Sequence, residues 1–326
     1  MNVNNKSIKL GLIGLGNWAK EAYLPILLGR DDVEILAVSA RTNKTLDIAK
    51  NIINKDIKLF NNYKDLIEQS DIEAVFIGIP HTDSAQVVID SIENDKHVFV
   101  EPPLYFGDKY DYINNLVTSK NKAIHIDVEL NFLPVILKCK EIVDSGDLGK
   151  TLSSKIELKV DWSSELDFNI EQMKNYVIEL STWYVPVTDM FTSADIEYAK
   201  YINSKNNFDI GSIEVKYENG YIGEWKFNLK EHPGMNLTFE ILFENGFIKC
   251  DLSTGDLTII DENKNETTQS IPAKLPVFAF AGMQESVDMF LNSIKTKSNT
   301  FDLNKYKNIK DIHSKLYSYC ELTEPI

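Results

Sequence analysis

The chain has 326 residues, 43% of them hydrophobic and 25% charged, a balance that suits two globular domains and excludes wholesale disorder. A net charge of −15 disfavours a polyanionic partner such as nucleic acid. No apolar run approaches the roughly 20 residues of a membrane helix, and three scattered cysteines (Cys139, Cys250, Cys320) suggest neither a metal site nor a disulfide framework.

The opening stretch, Met1 to Lys6, is polar and lacks signal-peptide features, so a cytoplasmic setting is expected. Ser7 to Ile13 reads as a strand and runs into Gly14-Leu-Gly-Asn-Trp-Ala19, the G-x-G-x-x-A form of the dinucleotide fingerprint. Gly14 permits the tight turn, Gly16 lets the backbone approach a pyrophosphate, and Ala19 allows close packing of helix on strand. A helix running to Leu28 is expected next, its first N–H groups at Asn17 and Trp18 facing the phosphates.

A second strand, Glu34 to Val38, ends in Ser39-Ala-Arg41-Thr42. An NAD site usually has a carboxylate there for the ribose hydroxyls, whereas Arg41 with two hydroxyls suits a 2′-phosphate. NADP is therefore preferred and NAD remains an alternative. The α/β rhythm continues through helix Leu46 to Ile53, strand Lys58 to Phe60, helix Tyr63 to Glu68 and the apolar strand Ala74 to Ile79. The next segment, Pro80 to Asp83, reads as a ligand-binding loop containing His81. Helix Ala85 to Glu93, strand His97 to Val100, helix Gly107 to Lys120 and strand Ala123 to Ile126 complete the unit. Beyond it, Leu152–Val160, Ser212–Tyr217, Gly223–Asn228, Leu237–Phe243, Phe247–Asp251 and Leu257–Ile260 read as strands, with hairpin signals at Glu218-Asn-Gly220 and Glu244-Asn-Gly246.

Three stretches taken together resemble the glucose–fructose oxidoreductase/inositol dehydrogenase (Gfo/Idh/MocA) family. They are Gly11 to Trp18, Asp71 to His81 continuing through Lys96 to Leu104, and Val143-Asp-Ser-Gly-Asp-Leu-Gly149. The resemblance implies an α/β Rossmann domain over 1–127. It also implies an α+β domain over 128–326 with a largely antiparallel open sheet, whose C-terminal helices pack back on the first domain. It further implies a small-molecule substrate held over a nicotinamide, a homodimer or homotetramer formed through the second sheet, and a cis bond before Pro103.

Two departures from that family bear on the chemistry. Its sugar enzymes carry Glu-Lys-Pro where this chain has Glu101-Pro102-Pro103, and a Gly-x-His-x-x-Asp signature where it has Tyr184 to Asp189, with Pro186 replacing the histidine. Neither proline can move a hydroxyl proton, so ordinary polyol oxidation is not expected. The biliverdin reductase branch and thiazoline-imine reductases also lack the lysine. Val38 to Arg41, His125 to Leu130 and Ser181 to Val185 resemble the former. The leading expectation is thus an NAD(P)H-dependent reductase of a conjugated C=C or C=N compound. An inactive nucleotide-binding scaffold and an atypical sugar dehydrogenase are the alternatives.

Candidates for the chemistry are Glu101, placed at a strand end near the expected nicotinamide, and His125 and Asp127, which alternate with Glu129 as if on one strand face. Tyr184, with Trp183, could wall a planar acceptor, although a core role suits both equally. Gly14, Gly16, Asn17, Trp18, Ser39, Arg41, Thr42, Pro80, His81, Glu101 and Pro102 make up the expected cofactor contacts.

Overall fold

The computed structural model describes residues 7–104, 109–164, 166–204, 207–230, 234–274, 282–298 and 303–322. His232 and the expected helix start at Gly107 lie outside the described residues. The chain divides into two compact units: 1–127 with 286–303 and 325–326, and 128–285 with 304–324.

The first unit is a parallel six-stranded sheet of β1 (Ile8–Ile13), β2 (Val33–Ser39), β3 (Lys58–Phe60), β4 (Ala74–Ile77), β5 (His97–Val100) and β6 (Ile124–Ile126), in the order β3-β2-β1-β4-β5-β6. This is the doubly wound order in which the direction of winding reverses beside β1, and ligands bind outside the carboxyl ends of the strands there. β4 is buried at every position, as a strand covered on both faces must be. The connecting helices are α1 (Asn17–Glu21), α2 (Leu24–Leu28), α3 (Asn43–Ile53), α4 (Tyr63–Ile67), α5 (His81–Glu93) and α6 (Tyr110–Lys120).

Three local expectations are corrected. The single helix to Leu28 is two short ones, because Pro25 cannot donate a helical hydrogen bond and restarts the helix from its first turn. The phosphates would therefore meet a turn and a five-residue helix rather than the end of a long dipole. Pro80 to Asp83 is not a loop: Pro80 caps α5, and His81, Thr82 and Asp83 form its first turn. Glu129 does not continue a strand face with His125 and Asp127, since β6 stops at Ile126 and Glu129 opens a 3-10 turn, Glu129–Phe132.

The second unit carries α7 (Pro134–Ser145), β7 (Thr151–Val160), α8 (Ile170–Asp189), β8 (Ile196–Ser204), β9 (Asn207–Tyr217), β10 (Ile222–Asn228), β11 (Met235–Phe243), β12 (Gly246–Asp251), β13 (Asp256–Asp261) and β14 (Glu266–Ser270). The strands form one mixed sheet, β14-β13-β12-β11-β7-β10-β9-β8, antiparallel except for β7 against β10. Their alternate residues, such as Ile156, Leu158, Trp225, Phe227 and Phe239, are fully buried and make the core beneath α8. α8 opens with a reciprocal Asn169–Gln172 capping box and contains Pro186 in its interior. Two further helices follow, α9 (Met283–Thr296), most of which belongs to the first unit, and α10 (Leu303–Tyr319). Among the described residues no helix is long and apolar enough to cross a membrane, and no cluster of three metal-ligating side chains occurs.

Candidate nucleotide groove and buried acid cluster

At the carboxyl ends of β1, β2 and β4 lies a groove of about 670 Å³ lined by Gly14, Gly16, Ser39, Arg41, Thr42 and Pro80, among others. Gly14 has φ +83°, and a Cβ there would stand 2.3 Å from the Gly78 carbonyl oxygen, so only glycine fits this turn. Its N–H is held by the Ser39 carbonyl at 2.8 Å, which ties the turn to the end of β2. Gly16 is different. A Cβ there would meet nothing within 4 Å, so its backbone faces open space, as close approach by a ligand requires.

Arg41 projects from the end of β2 with 75% of its side chain exposed, and its Nη1 lies 3.7 Å from Asp83 Oδ2. Thr42 is occupied as a helix cap: its Oγ1 accepts from the Thr45 N–H at 3.2 Å. Thr82 and Asp83, from the segment read as ligand-binding, also line the groove, as do Asn61, Asn62 and Gln86, which the sequence did not mark. Asn17, Trp18, His81, Glu101 and Pro102 are not among its walls.

Glu101, at the end of β5, instead joins a second group of residues. Only 7% of it is exposed, and Trp18 Nε1 donates to its Oε1 at 2.9 Å. Asp127, fully buried, belongs to the same group, and Glu101 acts on its carboxyl. Ser286, in the first turns of α9, donates to Asp127 Oδ1 at 2.5 Å and lies 2.8 Å from His125 Nε2. Burial pushes the Asp127 carboxyl up, partly offset by the bond from Ser286 and by Glu101. Burial alone lowers His125 to about 3, so the ring is neutral. The Tyr23 phenol is pushed far up by burial and by Glu101 and Asp127. The floor is aromatic: His125 stacks on Phe99 at 5.1 Å, and Phe99 stacks on Phe76 at 4.5 Å. Water is thereby kept from the carboxyls, which strengthens every charge interaction among them. The bond between Pro102 and Pro103 is cis.

Of the expected chemical residues, Glu101, His125 and Asp127 are brought together and Tyr184 is not. Tyr184 is buried in the second unit, its ring stacked on Trp225 at 4.8 Å with an interplanar angle of 6°. Burial, with Glu129, pushes its hydroxyl far up. Asp189, the aspartate of the family signature, accepts from the Tyr217 hydroxyl at 2.8 Å and so ties α8 to the sheet. Ser286 was missed because 159 residues separate it from Asp127, and no local pattern marks it.

Residues 8–126 match the family model described as an oxidoreductase family with an NAD-binding Rossmann fold. Oxidoreductase P35 of Formosa agariphila is 26% identical over 268 residues, covering 77% of this chain and 82% of that protein. Inositol 2-dehydrogenase of Salmonella paratyphi B is 25% identical over 148 residues, so this chain spans only 44% of its length. In fold, a crystal structure of scyllo-inositol dehydrogenase from Lactobacillus casei superposes with a TM-score of 0.77 at 18% identity, covering 96% of this chain and 97% of that one.

Proposed function

We propose, from the premise that the chain belongs to the Gfo/Idh/MocA family and is an NAD(P)-dependent oxidoreductase, that it binds NADPH and reduces the carbonyl of a small polyhydroxylated substrate. The observation that carries this reading is the groove itself. It combines a turn that only Gly14 can make, an open backbone at Gly16 and a guanidinium, Arg41, where an NAD site would have a carboxylate. The pyrophosphate is assigned to the Gly14–Gly16 turn and the 2′-phosphate to Arg41.

The substrate class follows the relatives, among them an inositol dehydrogenase, rather than the bilins expected from local sequence resemblance. Nothing in the relatives favours an inactive scaffold. The direction follows the acid cluster. With Pro102 and Pro186 in place of the usual lysine and histidine, the carboxyl nearest the end of β5 is Glu101, grouped with the Asp127 carboxyl that burial pushes up, and an acid cluster that holds a proton assists reduction rather than oxidation. A bound reduced nicotinamide would supply the hydride to the carbonyl carbon, and Glu101 is the carboxyl assigned to deliver a proton to the carbonyl oxygen. A second reading, reduction of a conjugated C=N or C=C bond, is favoured by one observation: no cationic side chain stands at Pro102 to polarise a carbonyl.

Fluorescence titration with NADPH and NADH tests the reading. Tight NADPH binding, followed by its oxidation with keto forms of polyols, is expected. Absence of binding by either cofactor would overturn it.

A further inference from the structure

Glu101 follows the last residue of β5 and precedes two prolines, Pro102 and Pro103. Proline has no backbone N–H, so neither of these neighbours can donate to the Glu101 carboxyl. The backbone is held: the Glu101 N–H donates to the Ile77 carbonyl at the end of β4 at 3.4 Å. The carboxyl is met from far along the chain instead. Trp18, 83 positions earlier, donates its Nε1–H to Glu101 Oε1 at 2.9 Å.

Trp18 is the second residue of α1, and Gly16, whose backbone faces open space, precedes that helix directly. One side chain thus connects the turn assigned to the pyrophosphate with the carboxyl assigned to the proton. α1 is seated where it is by Ala19, which is 2% exposed. A Cβ added at Gly78, just past β4, would stand 3.4 Å from the Ala19 Cβ. The indole edge is therefore carried on a short helix packed against the sheet. Its nitrogen is a donor only and does not titrate, so it fixes one carboxyl oxygen as an acceptor without competing for a proton. A lysine in the same place would hold the carboxyl ionised by its charge. Trp18 keeps 38% of its surface exposed with its polar edge engaged, whereas Glu101 is 7% exposed.

We infer that Trp18 is a positioning residue of this oxidoreductase, whose indole N–H aims the Glu101 carboxyl and ties its placement to the nucleotide turn. The inference rests on the functional reading above. When the Glu101 proton passes to the carbonyl oxygen, a carboxylate is left behind, and solvent returns the proton. The indole N–H bonds the anion more strongly than the acid, so it stabilises that charge as it develops.

The test uses the full chain with isotope-labelled indole nitrogens at its four tryptophans, as wild type, Trp18→Phe and Glu101→Gln. Thermal melts and NADPH titrations are run on the same samples. Trp18→Phe identifies the Trp18 indole signal by its loss. That signal should move with pH in the wild type, and in Glu101→Gln it should be displaced and lose most of the movement. Activity is read as NADPH oxidation with inosose, the ketone of inositol, as the probe. Trp18→Phe should lower kcat about tenfold, the worth of one hydrogen bond, with KM and NADPH affinity within about twofold of the wild type. It should also move the pH midpoint of kcat upward, because the lost donor favoured the carboxylate. A Trp18 signal that ignores both pH and Glu101→Gln overturns the inference. So does a folded Trp18→Phe with the wild-type pH midpoint, which would mean that the bond only ties α1 to the sheet. Failure of the wild type to bind either cofactor, or to turn over the ketone, overturns the functional reading instead; the indole signal still decides whether Trp18 holds Glu101.

Discussion

Arg41 at the end of β2 and Asp83 in the first turn of α5 face each other across the nucleotide groove, with 3.7 Å between Nη1 and Oδ2. The cation expected to meet a 2′-phosphate thus already has an anionic neighbour. An exposed pair of this kind is worth little by itself, on the order of 0–1 kcal/mol. A 2′-phosphate would compete with Asp83 for the same guanidinium and would be repelled by the carboxylate.

Arg41→Ala should therefore erase most of the preference for NADPH over NADH, roughly 1–3 kcal/mol for a charge-assisted contact. Asp83→Asn should change the preference in the opposite direction, tightening NADPH more than NADH. Fluorescence titration of both cofactors against both variants is the measurement. Equal NADPH and NADH affinity in the wild type, unchanged by either substitution, would remove the 2′-phosphate assignment.

The two glycines of the turn should separate folding from binding. Gly14→Ala forces a Cβ to within 2.3 Å of the Gly78 carbonyl oxygen at a positive φ, so the turn itself must shift and the melting temperature should fall. The Cβ of Gly16→Val meets nothing within 4 Å, so the melt should be unchanged, while the side chain occupies the space assigned to the pyrophosphate. Unaltered NADPH affinity in Gly16→Val would show that the groove does not hold the cofactor in this way.

The first sheet was legible because its strands are short apolar runs separated by helices at regular intervals; Lys58–Phe60 and His97–Val100 match their sequence expectation residue for residue. The missed strands have physical reasons. β14, Glu266–Ser270, is a polar edge strand whose residues are almost all exposed, so it has no alternating pattern to read. β8, Ile196–Ser204, is the opposite edge and mixes tyrosine with lysine and glutamate. Pro80 looked like a loop marker, yet its N–H would be unpaired at a helix start in any case, so proline costs nothing there. Side-chain convergence was the least legible feature. Cys139 and Cys250, 111 residues apart, come to 3.4 Å with both thiols buried, and Ser286 reaches Asp127 across 159 residues; spacing in the chain encodes neither.

Acid should destabilise the second unit through His313. Its Nε2 lies 3.1 Å from both Ser181 Oγ and Thr182 Oγ1, and burial lowers it to about 4. The unfolded chain protonates this histidine near its ordinary value of 6.5, whereas the folded chain does not until about 4. The unfolded state therefore binds more protons between those values, and stability is lost as pH falls through that window, by roughly 3 kcal/mol at its lower end. His125, in the first unit, contributes in the same sense, while the raised carboxyl of Asp127 opposes it. Chemical unfolding at a series of pH values should show a shallower loss between 6.5 and 4 for His313→Gln than for the wild type. Parallel curves would mean that His313 is not the group responsible.

The last prediction concerns the direction of the reaction and what Pro102 removes. A polyol dehydrogenase must take a proton from the reacting hydroxyl, and such assistance is typically worth about 10²–10⁴ in rate. Pro102 offers no titrating group, Pro186 is locked inside α8, and burial pushes the Asp127 carboxyl of the acid cluster up. Oxidation of inositols or hexoses with NADP+ should therefore be slow at neutral pH. It should gain as pH rises and the Asp127 carboxyl ionises, because the acid cluster can then accept a proton. Reduction of the corresponding ketones with NADPH should show the reverse dependence. Pro102→Lys alone should not confer polyol oxidation at neutral pH, since the histidine position is still proline. The measurement is nicotinamide absorbance in both directions across a pH series, with the wild type and Pro102→Lys side by side. Brisk, pH-independent oxidation of a polyol by the wild type would mean that another base serves the reaction and that Glu101 is not its proton donor.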